Sequence, residues 1–282
     1  MIVVTGATGQ LGRLVVTALL DRGVPADGVV AAVRDPRRAE DLGVTVREAD
    51  YDRPGTLAGA FRGAEEVLLI SGNEVGRRVP QHRAAVDAAK AAGVRLLAYT
   101  SVLRADTTTV SVAPEHRATE EYVRASGVPF SLLRNGWYSE NYEQTIRQAL
   151  ATGVIPGAAG DGRVASASRA DYAAAAAAVL TGEGHEGTVH ELSGDTAWSM
   201  ADLAAMITEV SGTEVVYQDL PVELYTRTLA GIGLPEEVAL MLARMDTDIA
   251  AGLLADTPGE LSRLLGRPTT PMRDTVLAVV KG

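Results

Sequence analysis

Thr5-Gly6-Ala7-Thr8-Gly9-Gln10-Leu11-Gly12 joins a short apolar run, residues 2–5, to an amphipathic stretch over residues 10–22. The run reads as a strand and the stretch as a helix, so the three glycines fall at a strand-to-helix corner. Glycines at this spacing meet three physical needs: a tight turn, close approach of backbone to a pyrophosphate, and close packing of helix on strand. The helix N-terminus adds free N–H groups and a partial positive charge, which suit a diphosphate. The motif opens a βαβ unit, and in that context it predicts a dinucleotide site. The alternative is a plain corner with no ligand.

Outward from this corner the pattern repeats. Apolar runs at 29–33, 44–46, 67–70, 96–100 and 130–133 alternate with helical stretches at 36–42, 83–92 and 115–126. Gly93 and Gly127 close the last two helices. The runs are continuous rather than alternating, as in a parallel sheet covered on both faces, with right-handed crossovers. The fold class is α/β: a Rossmann-type doubly wound parallel sheet with a smaller, mostly helical C-terminal domain. After Asn135 the pattern loosens, and Gly153, Gly157, Gly160 and Gly162 punctuate a loop-rich stretch. Asp171 is expected to cap an alanine-rich helix over 172–180, whose small face would lie tight on the sheet. A strand at 189–192, a helix at 200–211 and a strand at 215–217 follow. The tail from Pro221 is mostly helical, with breaks near 231–235 and 266–268. Residues 1–135 with about 164–184 are expected to form the nucleotide-binding domain, and about 136–163 with 185–282 the substrate-cleft domain.

Composition narrows the function. The 282 residues are 46% apolar and 22% charged, which is ordinary globular composition. The net charge of −10 argues against nonspecific binding to nucleic acid or anionic lipid. With no cysteine, disulfides, thiolate catalysis and Cys-ligated zinc are excluded, and redox chemistry needs a bound cofactor. None of the four histidines has zinc-like companion spacing, so no metal is expected. The N-terminus lacks signal-peptide features, and the longest apolar run, residues 173–180, is too short to span a bilayer. A cytoplasmic protein without membrane insertion is the expectation, with a homo-oligomer left open.

The second strand chooses the cofactor. It ends Ala31-Ala32-Val33-Arg34, about 20 residues past the last motif glycine, where NAD enzymes place an acid for the ribose 2′-hydroxyl. A guanidinium there can fork onto a 2′-phosphate and stack on adenine, and Arg37 and Arg38 add local positive charge. NADP(H) is therefore expected over NAD. Asp35 next door runs against this, and a solvated surface arginine is the alternative.

Longer stretches carry a family resemblance. TGATGQLG, VRDP, SGNEVGRRVPQHR, AAKAAGVRLLAYTS and above all Arg134-Asn135-Gly136-Trp137-Tyr138-Ser139-Glu140-Asn141-Tyr142 resemble the NmrA-like atypical short-chain dehydrogenases. Within that family the likeness is to bacterial NADPH:quinone oxidoreductases of the type-2 kind, and it covers nearly the whole chain. The resemblance implies NADPH in a cleft, with direct two-electron hydride transfer to a quinone and no flavin. It also implies cofactor contacts. Gly6, Ala7, Thr8, Gly9, Gln10 and Leu11 would meet the diphosphate, and Arg34 the adenosine end. The loop of Ser71, Gly72, Asn73, Glu74 and Val75 would approach the ring, as would Asn135, Gly136, Trp137, Tyr138, Ser139 and Glu140. Both segments follow strands at the carboxyl edge of the sheet, where ligands bind. Trp137 and Tyr138 can form a flat wall for nicotinamide or quinone, or can serve as core aromatics. Tyr138 also carries a hydroxyl and is the candidate hydrogen-bond donor to the quinone.

The acid/base dyad of typical short-chain dehydrogenases, Tyr-x-x-x-Lys, is missing. Its place falls on His116-Arg117-Ala118-Thr119-Glu120, and nearby Tyr122 has no lysine after it. A quinone accepts hydride readily, so loss of the dyad is tolerable there and damaging for carbonyl reduction. His116 is weighed as a proton donor with Glu120 one turn away, against a plain helix-face pair. His82 is expected to open a helix. Asp50-Tyr51-Asp52 either contacts adenine or forms a turn. The rival function is a non-catalytic NADP(H) sensor that binds a transcription factor. A lysine-dependent reaction on a plant-type aromatic is disfavoured, because Lys90 and Lys281 are the only lysines and neither is expected near the cleft.

Overall fold

The computed structural model describes residues 1–282 and resolves them into two compact units. The first comprises Met1–Asn135, Arg169–Leu192 and Glu260–Arg267; the second comprises Gly136–Ser168, Ser193–Gly259 and Pro268–Gly282.

The first unit is a seven-stranded sheet, all parallel. Its strands are β1 (Ile2–Thr5), β2 (Val29–Val33), β3 (Thr45–Glu48), β4 (Glu66–Leu69), β5 (Leu96–Val102), β6 (Phe130–Asn135) and β9 (Thr188–Leu192). The order is β3-β2-β1-β4-β5-β6-β9. β1, β2 and β4 are buried along their whole length, which is why they read as unbroken apolar runs. Crossovers are made by α1 (Gln10–Asp21), α2 (Pro54–Ala60), α3 (Arg78–Ala92) and α4 (Ala113–Ser126), with a 3-10 turn at Pro36–Leu42. The strand order reverses between β1 and β4, so the switch point lies at their carboxyl ends. α6 (Arg169–Thr181) buries Ala173 and Ala175–Ala178 and packs on α1, as its small face predicts.

Four sequence expectations are corrected here. Residues 185–192 were assigned to the smaller domain, but β9 pairs with β6 and so completes the main sheet. Residues 164–168, assigned to the nucleotide-binding domain, fall in the second unit, where β8 (Arg163–Val164) pairs with β10 (Trp198–Ser199). Asp171 is not at the N-cap position of α6, which begins at Arg169. It lies inside the first turn, fully buried, with its carboxylate taking a 2.7 Å bond from Arg267. Nor is the tail wholly outside the first unit. α10 (Glu260–Leu265) returns to it, because Glu260 accepts from the Glu191 amide at 2.9 Å and lies 2.7 Å from His190 Nδ1.

The second unit has its own core of Tyr142, Ile146, Ile155, Trp198, Leu203, Ile207, Ile249 and Val276, among others. It contains α5 (Glu143–Thr152), β7 (Val154–Gly157), α7 (Met200–Ser211), β11 (Val216–Asp219), α8 (Val222–Gly231), α9 (Glu236–Ala250) and α11 (Met272–Lys281). α7 begins where Ser199 and Asp202 form a capping box and ends where Gly212 turns left-handed. No helix of the protein is long and apolar enough to cross a membrane.

Candidate functional site

The three glycines of the corner meet three different local constraints. Gly6 sits at φ +59°, a conformation that costs a side chain, and its carbonyl accepts the Gly9 amide at 2.9 Å. A Cβ on Gly12 would stand 2.3 Å from the Gly6 carbonyl oxygen and 2.7 Å from Ala7 Cα, so the helix closes on the turn only without one. A Cβ on Gly9 would meet the Gly6 oxygen at 3.1 Å and nothing else within 4 Å, so the space beyond Gly9 is open. Gly9 caps α1 with no side-chain bond, and the first turn of α1 carries no acid. Its N–H groups and positive end are therefore uncompensated by the helix itself.

The switch point is tied together by a residue whose role the sequence did not reveal. Thr5 Oγ1 donates to the Leu68 carbonyl at 3.0 Å and accepts the Ile70 amide at 2.9 Å. The Tyr51 hydroxyl stands 2.6 Å from Thr5 Oγ1 and 2.8 Å from the Ile70 carbonyl oxygen. Burial pushes the Tyr51 phenol up, so it remains a neutral donor. Its neighbours form a turn: Asp50 accepts the Asp52 amide at 3.1 Å and Arg53 Nε at 3.0 Å.

Arg34 directly follows β2, with its side chain exposed. Its guanidinium lies 3.5 Å from Glu74 of the 71–75 loop. The neighbouring acid, Asp35, is engaged elsewhere: both its oxygens take bonds from Arg37, at 3.0 and 3.1 Å. That pairing holds Asp35 below the usual carboxylate range.

The 71–75 loop is fastened at both ends, and between them the Glu74 carboxylate accepts Arg77 Nη1 at 3.0 Å. The Ser71 amide donates to Thr100 at 2.9 Å. The Gly72 amide donates to His82 Nε2 at 3.0 Å, and the Gly72 carbonyl accepts Arg78 Nε at 2.6 Å. The Gly76 amide donates to Glu115 at 2.9 Å. Asn73 and Val75 are exposed between these anchors. His82 does not open its helix. α3 starts at Arg78, and His82 is fully buried in its second turn.

The place of the missing dyad is filled by two separate networks. Glu120 does not face His116. It accepts Ser101 Oγ at 2.6 Å and both Nε and Nη2 of buried Arg134, at 2.9 and 2.7 Å. Arg134 also donates to Glu191 and Asp106. His116 Nδ1 lies 2.8 Å from the Tyr99 hydroxyl. Burial, then the positive charge of Arg78, push His116 down to about 3 and His82 down to about 4. His116 is thus a neutral ring at neutral pH and a poor proton donor, against the acid role weighed for it. Tyr122 is remote from this edge chemistry, donating to Asp87 at 2.8 Å.

Asn135 is buried at the end of β6, with its carbonyl accepting the Leu103 amide at 2.9 Å. The residues after it belong to the second unit. There Tyr138 bridges to Ala167, the Ser139 amide donates to the Ala167 carbonyl at 2.9 Å, and the Ala167 amide donates to the Trp137 carbonyl. Ser139 is buried with Oγ 2.9 Å from Ser166 Oγ. Gly136, Tyr138 and Glu140 are half-buried. Trp137 is half-buried and packs against the second unit's core.

The NmrA-like family model matches residues 1–250. The chain belongs to the NmrA-like family. Among relatives of this NmrA-like protein, quinone oxidoreductase 2 of Escherichia coli is 51% identical over 279 residues, covering 98% of this chain and 97% of that protein. A solved structure of the NADPH-dependent quinone oxidoreductase from Escherichia coli, complexed with NADPH, superimposes with a TM-score of 0.95 at 50% identity, covering 99% of both chains. The triphenylmethane reductase of a Citrobacter species, complexed with NADP(H), also reaches a TM-score of 0.95, at 38% identity over 99% of this chain and 100% of the other.

Proposed function

We propose that this protein is an NADPH:quinone oxidoreductase that passes two electrons directly to a quinone without flavin. The observation that carries the reading is an intact glycine corner at the switch point of a chain half identical, over nearly its full length, to quinone oxidoreductase 2. The residues present fit the cofactor. The corner offers open space beyond Gly9 and a helix end with no acid of its own, and Arg34 is an exposed guanidinium at the end of β2. In this assignment Gly6 to Leu11 hold the diphosphate, Arg34 the 2′-phosphate, and Ser71–Val75 with Asn135–Glu140 the nicotinamide end.

Bound NADPH supplies a hydride, which together with one proton converts the quinone to hydroquinone. The chain's own part is to bind, to orient and to offer a hydrogen bond. Tyr138 is assigned as the donor to the quinone oxygen. No lysine lies beside it to make it a strong acid. That proton need not come from His116, whose ring is neutral and bonded to Tyr99. The net charge of −10 disfavours nucleic acid as a partner. The proposed location is the cytoplasm, where NADPH is supplied.

The test is NADPH oxidation by the purified protein with and without a simple benzoquinone. Benzoquinone-dependent oxidation by a preparation colourless in the visible is the expected result. NADPH binding without turnover on any quinone would favour the sensor reading instead. A stoichiometric flavin spectrum would overturn direct transfer.

A further inference from the structure

His82 is fully buried 10 residues past Gly72, and the proposed hydride transfer gives it no role. Its bonds fix its tautomer. The Gly72 N–H can only donate, so the Nε2 it meets at 3.0 Å must carry a lone pair. A neutral ring then carries its proton on Nδ1, which faces Thr119 Oγ1 at 3.0 Å. Thr119 Oγ1 is free to accept, because its own proton goes to the Glu115 carbonyl at 2.9 Å. The Tyr99 hydroxyl lies 3.5 Å from the same Nδ1 and 2.8 Å from His116 Nδ1. Every polar contact around the ring agrees with one protonation state. Arg78, one turn back on α3, opposes any second proton on it. Arg78 meanwhile takes the Gly72 carbonyl at 2.6 Å. Both backbone polar groups of Gly72 are thus held by side chains of α3.

We infer that His82 is a positioning residue for the cofactor. Held as the Nδ1–H tautomer, it fixes the Gly72 amide and so presents the 71–75 loop, pre-ordered, to the nicotinamide end of NADPH. This rests on the reading of that loop as a cofactor contact. Without an acceptor at position 82, the Gly72 amide turns to water and the loop must be ordered on binding. The cost falls on cofactor affinity, while the reacting groups are untouched.

His82→Leu removes the acceptor, and His82→Gln restores one through Oε1. We expect His82→Leu to weaken NADPH binding in direct titration by about 5–20-fold, the loss of one buried hydrogen bond. KM for NADPH should rise in step and kcat should change less. His82→Gln should return affinity to within about threefold of the wild type, again by the worth of one bond. Equal losses in both variants would overturn the inference, since packing and not the acceptor would then matter. Unchanged affinity in both, with only a lower Tm, would also overturn it. The wild type gives a readout that no variant's folding can obscure. Nitrogen-15 NMR should show His82 as the Nδ1–H tautomer, and the Nε2–H form would refute the inference. Amide exchange separates this inference from the loop reading beneath it. If NADPH fails to protect residues 71–77 in the wild type, the loop reading is wrong. If it protects them and His82→Leu binds NADPH normally, the fault lies with His82.

Discussion

Arg34 and Glu74 set one prediction between them. The Arg34 side chain is 72% exposed and Glu74 is its nearest acid, at 3.5 Å. A 2′-phosphate held by Arg34 would gain a charge-assisted bond worth about 1.5–3 kcal/mol, or roughly 10–150-fold in affinity. Arg34→Glu should therefore weaken NADPH by that factor or more and leave NADH nearly unchanged. Glu74→Gln should act the other way. It removes a carboxylate that shares the guanidinium, but an exposed pair is worth only about 0.2–1 kcal/mol, so NADPH should tighten by roughly 1.5–5-fold. Fluorescence titrations with both nucleotides check both arms, and equal losses for NADPH and NADH in Arg34→Glu would refute the role given to Arg34. Tyr138 sets a second prediction. Tyr138→Phe should lower kcat/KM by about 3–30-fold, the loss of one modest hydrogen bond, with NADPH affinity little changed. Full activity with several quinones would make Tyr138 a packing residue, and complete inactivity would point to acid/base catalysis. Of these residues, Arg34 was legible because its place is fixed by distance from the glycine motif. Tyr51 and His82 were not, because their partners lie 46 and 10 residues away and meet them only in the folded sheet.

At the scale of elements, the glycine corner separates folding from binding. The Gly12 Cβ would press on backbone at 2.3 Å, and backbone cannot give way as a side chain can. Gly12→Ala should therefore destabilise the protein, by about 1–3 kcal/mol as overpacked sites do. A Cβ at position 9 meets one backbone oxygen at 3.1 Å, a much milder contact than at Gly12, so Gly9→Val should fold while its branched side chain fills the diphosphate space. Thermal melts beside NADPH titrations distinguish the two, and undiminished NADPH affinity in folded Gly9→Val would dismiss the diphosphate assignment. The same physics explains which elements could be read. β1, β2 and α7 match their sequence bounds at both ends: the strands are buried throughout, and α7 is capped by Ser199 and Gly212. α3 begins five residues before its expected start, because Pro80 falls in the first turn, where a missing N–H costs nothing. α2 escaped notice because Gly55 and Gly59 dilute its helical signal. β8 and β10 have two residues each and no periodicity to detect.

Over the whole molecule, buried ionisable groups make stability depend on pH in two opposed senses. His82 and His116 have folded pKa values depressed to about 4 and about 3. Their neutral burial is fully favourable above the unfolded value near 6.5, and the benefit is lost as pH falls toward the folded values. Asp246 on α9 behaves oppositely. Burial, and more weakly the charge of Asp219, raise it to about 6, although the Ala158 amide bonded to it at 2.7 Å works the other way. Its folded value exceeds the unfolded one near 4, so its contribution is favourable at low pH and lost as pH rises through about 6. Tyr217 and Tyr225 border the same carboxyl, and both phenols are pushed up and stay neutral in this range. Between pH 6 and 4 the two histidines outweigh the one aspartate, so the wild type should lose stability on acidification. The net is about one proton, or roughly 1.4 kcal/mol per pH unit at most. Asp246→Asn keeps an acceptor for the Ala158 amide and removes the buried charge. It should be more stable than the wild type at pH 7, by up to about 3 kcal/mol for a shift of roughly two pH units. The advantage should vanish by about pH 4, where the wild-type carboxyl is already protonated in both states. The variant's acid loss should therefore be steeper than the wild type's. Urea unfolding at pH 7, 6 and 5 would show the two curves converging as pH falls. Parallel curves would mean that Asp246 is ionised throughout and that its burial carries no penalty.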